Sequence, residues 1–438
     1  MNSIDNSLKY RLRLMWAYKD ILRNHVPGLT NRFISRFRKS QLEAAHRLQG
    51  KPTLEVAFFL TIPGMWKSDY LFREMQNDPH FHPYVVIYPY SVFKGFSQEE
   101  VQQTLERTKR FVEDKGFEYV VPYDAKRNRW QDVKKTLNPD IVIFSTPYKD
   151  IPPKYFIYHW RDRFTCYVPY AFVHFNAYDF QYNYIFHNLV GIHFLETELH
   201  KQNAVDYSRN HGENVVVSGY PGTEVFLRPD YQPKPVWKPQ PHPKKKVIWA
   251  PHHTIDGGLA IASFMTFCDI MPRMAQKYAD QIQFAFKPHQ LLKFKLQQVW
   301  GKERTEAYYA QWAQMENTQL EETSYVDLFL TSDAMVHDSG SFTSEYLFTQ
   351  NPVMFLVNSD AFSDKFNAFG KEAFACHYHG RTEEDVDKFL RDVVLKGDDP
   401  MRPQRSQFFA AHLAPKNNLL PSQRIIEIIN NTINNTSE

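Results

Sequence analysis

Only three cysteines occur in 438 residues, Cys166, Cys268 and Cys376, and they stand too far apart for a disulfide framework or a CxxC zinc knuckle. No apolar run approaches the ~18–20 residues that cross a bilayer. The opening MNSIDNSLKYRLRLMW lacks the apolar core and small-residue cleavage site of a secretory signal. A reduced, cytoplasmic setting is therefore expected. Missing too are a Walker A loop, a GxGxxG after a strand and a Gly-x-Ser-x-Gly elbow, which argues against P-loop ATPases, NAD enzymes and elbow-type serine hydrolases. A 23% charged fraction with 16% aromatics excludes a disordered chain, and the length suits two domains with separate cores.

The formal net charge of +3 hides an asymmetry: residues 1–50 hold ten Lys and Arg against three Asp and Glu, and the remainder is net acidic. Basic residues from Lys9 to Lys39 alternate there with Trp16, Phe33, Phe37 and aliphatic side chains. Two readings fit, a helix lying on an anionic membrane surface, which would make the chain peripheral on the inner face, or a solvated helix packed on the main body. No nucleic-acid motif accompanies the segment, so nucleic acid is not an expected partner.

Beyond residue 50, short runs rich in Val, Ile, Phe and Tyr alternate with segments of helical period, which is the pattern of a parallel α/β sheet. Strands are expected at 54–62, 84–90, 119–123, 140–145, 165–171 and 215–218, with a helix over 97–115 opened by a Ser97-x-x-Glu100 capping box. Residues 231–243 carry five prolines in thirteen positions and read as a stiff linker. A second alternation follows, with strands at 246–250, 282–286, 334–336, 353–357 and 375–378. The expected organisation is a basic segment 1–50, a first doubly wound domain 51–230, the linker 231–243, a second doubly wound domain 244–403 and a C-terminal helix with a frayed tail over 404–438. A ligand cleft is expected between the two domains.

Chemistry concentrates in the second domain. A strand ends at His337-Asp338, a polar turn Ser339-Gly340-Ser341 follows, and a helix opens through Thr343. Free backbone N–H groups and hydroxyls at such a turn suit a phosphate or diphosphate, and Glu345 one turn on suits a ribose; a plain N-cap reads equally well from this segment alone. His252 and His253 end the first strand of this domain, and Lys287 and His289 end the next. Ligands of open α/β sheets bind at the carboxyl ends of strands, so the three polar clusters are expected to converge. Asp385-Val-Asp387 has a metal-binding DxD spacing but falls on an amphipathic surface helix, so no residue is assigned to a metal; no cofactor is assigned, and a divalent metal is left open.

Residues 210–360 resemble the CDP-glycerol glycerophosphotransferase family, the teichoic-acid primases and polymerases with a GT-B fold. The family's Thr-Asp-Tyr-Ser-Ser signature is matched by His337-Asp338-Ser339-Gly340-Ser341, with Glu345 following and then Asn351-Pro352-Val353-Met354-Phe355. Trp249-Ala250-Pro251-His252 is similar to its Tyr-Ala-Pro-Thr, Lys287-Pro288-His289 to its Arg/Lys-x-His-Pro, and Gly219-Tyr220-Pro221 to its Gly-x-Pro turn. The resemblance implies a GT-B-like α/β fold, two doubly wound parallel-sheet domains facing a cleft. It also implies transfer of glycerol phosphate from CDP-glycerol to a glycan or lipid-linked acceptor, with release of CMP. Lys287 and a protonated His289 would stabilise phosphoryl charge. The family's His-Gly-Thr-Pro is absent, and His174 on the first domain, or His187, takes its expected role as base. A GT-B glycosyltransferase using a UDP- or CMP-sugar and a non-catalytic nucleotide- or glycan-binding protein stand as alternatives.

Overall fold

The computed structural model describes residues 27–88, 98–124, 129–149, 151–255, 262–322 and 325–434. Lys9 to Arg23 of the basic segment and the expected cap Ser97 lie outside them. The chain folds as two compact units. The first holds the residues up to Ala171, then Ala177–Gly222 and the chain from Lys416 onward; the second holds Phe172–Asn176 and Thr223–Pro415.

In the first unit, β1 (Leu54–Leu60), β2 (Phe81–Ile87), β3 (Tyr119–Val120), β6 (Ile141–Phe144), β7 (Phe164–Tyr167), β8 (Ile192–Leu195) and β9 (Val215–Val217) form one sheet. Its order is β3-β2-β1-β6-β7-β8-β9, parallel throughout. A separate two-stranded antiparallel ribbon pairs β4 (Tyr123–Asp124) with β5 (Arg129–Trp130). The runs VAFFL and IVIF are buried on both faces, as parallel strands covered by helices must be.

The basic segment's described half is the helix Pro27–His46. Thr30, Ile34, Phe37, Gln41, Ala44 and Ala45 fall at helical spacing on one buried face, while Arg32, Arg36 and Lys39 are exposed on the other. Gln41 pins the helix to β7: its Oε1 accepts from the Thr165 N–H (3.0 Å) and Oγ1 (2.6 Å), and its Nε2 donates to the Trp160 carbonyl (3.1 Å). The apolar face of this helix is therefore used in the unit's own core. At the other end of the chain, the expected frayed tail is helical as far as Asn434: Pro421–Asn434 buries Ile425, Ile428, Ile429 and Ile433 in the first unit's core. Among the described residues no helix is long and apolar enough to cross a membrane.

The second unit's sheet comprises β10 (Lys245–Ala250), β11 (Ile282–Phe286), β12 (Thr318–Leu320), β13 (Ala334–His337), β14 (Val353–Leu356) and β15 (Tyr378–Gly380). It is parallel throughout, in the order β12-β11-β10-β13-β14-β15. Residues 231–243 are non-helical as their prolines require, and they lie wholly within this unit. Trp237 Nε1 donates to Thr331 Oγ1 (2.9 Å) and the Lys238 N–H to Gln319 Oε1 (2.7 Å). The stretch read as a spacer is thus an edge strap of one unit.

Candidate functional site

In the second unit the chain starts mid-sheet at β10, steps outward through β11 and β12, and returns to the other side of β10 at β13. The strand order reverses between β10 and β13, and beyond the carboxyl ends of strands at such a point an open α/β sheet leaves a crevice. Three polar segments issue there from three adjacent strands: Pro251–His253 from β10, Lys287–His289 from β11, and Asp338–Ser341 from β13. The Lys287 N–H donates to the Trp249 carbonyl (2.8 Å) and the His289 N–H to the Pro251 carbonyl (3.1 Å), so β-type pairing continues past the strands.

Asp338, expected on a diphosphate, spends both carboxylate oxygens on the protein. Oδ1 accepts from the His252 N–H, and Oδ2 accepts from the Ser263 N–H (2.6 Å) and Oγ (2.9 Å). It is buried, and burial pushes its pKa up to about 6 against the pull of those three donors. Its role is to tie the residues on either side of the β10 loop to the end of β13. His337 is fully buried in the sheet and accepts from the Ser339 N–H at Nδ1 (3.1 Å); burial lowers its pKa to about 3.

The bend itself is half covered. Ser341 is exposed, whereas Ser339 is 5% exposed and Gly340 is buried. A Cβ placed on Gly340 would come within 3.0 Å of the Phe175 ring. Ser339 and Ser341 bring their hydroxyls to 3.5 Å of each other, and Thr343 Oγ1 donates to the Ser339 carbonyl (3.0 Å). Phe342–Glu345 is a single turn of α-helix continued as a 3-10 turn over Tyr346–Thr349. Glu345 is buried, and the Tyr325 hydroxyl hydrogen-bonds to it.

His174 was expected on the first domain; Phe172–Asn176 folds with the second unit instead. Asn367 holds this strap by donating its N–H to the His174 carbonyl (2.8 Å) and its Nδ2 to the Val173 carbonyl (2.9 Å). Phe175 pairs with Phe366 both as a β-bridge and as a stacked ring. His174 Nε2 then lies 2.7 Å from Ser344 Oγ, one turn from the bend. His187 stays in the first unit, fully buried, with its pKa lowered to about 3.

His252, His253 and His289 form a cluster. Their ring centroids are 4.1–5.0 Å apart, and one ligand atom from each lies within 4.8 Å of the other two. Burial, then the neighbouring imidazoles and lysines, lowers His252 to about 3 and His289 to about 4. His289 is therefore neutral at pH 7, not the imidazolium expected from sequence. Lys287 is also buried, and desolvation lowers its pKa against the opposing pull of Glu321 and Glu322. Asp385 and Asp387 are not in this cluster: Asp385 caps its own helix at Thr382, and Asp387 pairs with Lys277 and Arg391. Sequence reasoning missed Ser263, Ser344 and Asn367, whose partners Asp338, His174 and Val173 lie far away in sequence and leave no local signal.

No family model and no curated protein matches the chain. Solved structures do. A variant of the wall teichoic acid polymerase TagF matches over 95% of this chain and 98% of its own, at 14% identity and a TM-score of 0.54. The UDP-GlcNAc 2-epimerase of Neisseria meningitidis, solved with UDP-GlcNAc, matches over 87% and 100%, at 13% identity and 0.54. That of Methanocaldococcus jannaschii, solved with UDP-GlcNAc and UDP, matches over 86% and 99%, at 12% identity and 0.51. At these identities the likeness is one of fold: two parallel-sheet α/β units of the GT-B kind.

Proposed function

We propose that this chain is a GT-B transferase that moves a phosphoalkyl group, most simply glycerol phosphate, from a CDP-linked alcohol to a hydroxyl of a glycan or lipid-linked acceptor. The observation that carries the reading is the reversal of strand order between β10 and β13, with the Ser339–Ser341 turn on one side and the histidine cluster on the other. The donor's diphosphate would rest on Ser339 and Ser341, with Glu345 toward the ribose. The acceptor oxygen attacks the β-phosphorus, the bond to the bridging oxygen breaks, and CMP leaves with that oxygen. His174 takes the acceptor's proton, from its place one turn beyond the bend. Lys287 supplies positive charge to the phosphoryl oxygens. Asp338 acts by holding the His252 backbone rather than by touching the donor.

A second reading has the same fold using a UDP-sugar, and the two epimerases solved with UDP-GlcNAc favour it. The released nucleotide separates the two. CMP formed from CDP-glycerol supports the first; UDP formed from a UDP-sugar supports the second; tight nucleotide binding without turnover on any acceptor supports a binding protein. The exposed Arg32, Arg36 and Lys39 face is a proposed contact for an anionic membrane on the cytoplasmic side, and sedimentation with phosphatidylglycerol vesicles tests it.

A further inference from the structure

We infer that His252, His253 and His289 form a binding site for a transition-metal ion of the zinc class. The three imidazoles come from the ends of adjacent strands β10 and β11, and backbone pairing between His289 and Pro251 fixes their separation. Tetrahedral zinc with bonds of ~2.0–2.1 Å to nitrogen places its ligand atoms roughly 3.3 Å apart. The atoms here already lie within 4.8 Å, so closure asks for side-chain rotations that move the ligand atoms on the order of an ångström. Three nitrogen donors with no carboxylate suit zinc, cobalt or nickel and not magnesium or calcium, and three protein ligands leave a fourth position open.

The surroundings are arranged for such a site. His252 Nδ1 lies 3.1 Å from Thr254 Oγ1, an outer partner that fixes the ring and leaves Nε2 for the metal. Lys287 is nearby, with Glu321 and Glu322 offsetting its charge. One feature opposes binding: the Leu291 N–H donates to His289 Nδ1 (3.1 Å), which places that ring's proton on Nε2. To ligate through Nε2 the ring must shift its proton to Nδ1, and to ligate through Nδ1 it must turn; either change breaks the bond to Leu291.

The inference stands on the histidines and not on the donor reading, so its test contains no nucleotide. The full chain, stripped with chelator, is titrated with Zn²⁺ and Co²⁺ by calorimetry, and the visible spectrum of bound Co²⁺ is recorded. One equivalent is expected to bind, with a tetrahedral cobalt spectrum and no response to Mg²⁺. His253→Ala and His289→Gln each weaken binding at least ~10-fold, and Thr254→Val weakens it by about as much. His242→Gln, an exposed histidine elsewhere on the unit, leaves it unchanged. Circular dichroism confirms that each variant is folded. Absence of a one-equivalent site, or binding indifferent to His253 and His289 in folded variants, overturns the inference.

Discussion

His187, His193, His337 and His377 are buried among apolar and aromatic neighbours, and burial lowers the pKa of each. A histidine with a depressed folded pKa costs nothing above its unfolded value near 6.5. Below that pH the unfolded chain binds the proton and the folded chain does not, so stability falls as pH drops toward about 3 for His187 and His337. The slope is about 1.4 kcal/mol per pH unit for each such group. Urea midpoints measured at pH 7, 6 and 5 should fall steeply, and His187→Leu should flatten the curve by roughly one group's share; an unchanged slope contradicts this account of His187. At the same scale, His174→Gln should lower kcat ~10²–10⁴-fold with nucleotide affinity retained, the signature of a lost base. Full turnover in that variant removes His174 from the scheme. Residue types were readable in the sequence here, but partners were not. Asp338 sits in a phosphate-like signature yet faces only protein donors, because its partners Ser263 and His252 arrive from a different loop.

Strands were legible where long apolar runs had to be buried on both faces. The expected strand at 282–286 coincides with β11, and that at 246–250 differs from β10 by one residue. In the two parallel sheets two strands escaped notice, as did β5 of the ribbon: β8 carries His193 in its middle and β12 is three residues at the sheet edge, so neither shows a run that composition can mark. The strap Phe172–Asn176 escaped for another reason. Its holds on the second unit, among them Asn367, Phe366 and Ser344, lie almost two hundred residues away in sequence. Asn367 also caps Ala368–Ala375, accepting from the Gly370 N–H at 2.8 Å. Asn367→Ala removes both the cap and the bond to Val173, and should cost about 2 kcal/mol in denaturant unfolding. A cost below about 0.5 kcal/mol contradicts the clamp.

At the scale of the molecule, the sequence marked two α/β units and the residues after three strand ends, while the way the chain divides between the units needed coordinates. The C-terminal helix returns to the first unit, where four isoleucines enter the core. Each such burial contributes about 1.5–3 kcal/mol, and together they rival the net stability of an ordinary domain. Truncation after residue 420 should therefore unfold the first unit, seen as loss of its cooperative melting transition; a retained transition contradicts that placement. The strand-end positions of His252, His253 and His289 marked them for one crevice, whereas the 4.8 Å spacing of their ligand atoms needed the pairing of β10 with β11 in coordinates.

The most direct measurement is calorimetric titration of the full chain with CDP-glycerol, UDP-GlcNAc, CMP and UDP, repeated on the Ser339→Ala/Ser341→Ala double variant. The account predicts saturable binding of CDP-glycerol that weakens at least ~10-fold when the two hydroxyls are removed, as expected for lost bonds to a charged phosphate. No binding of any nucleotide, or binding indifferent to the double substitution, would contradict it.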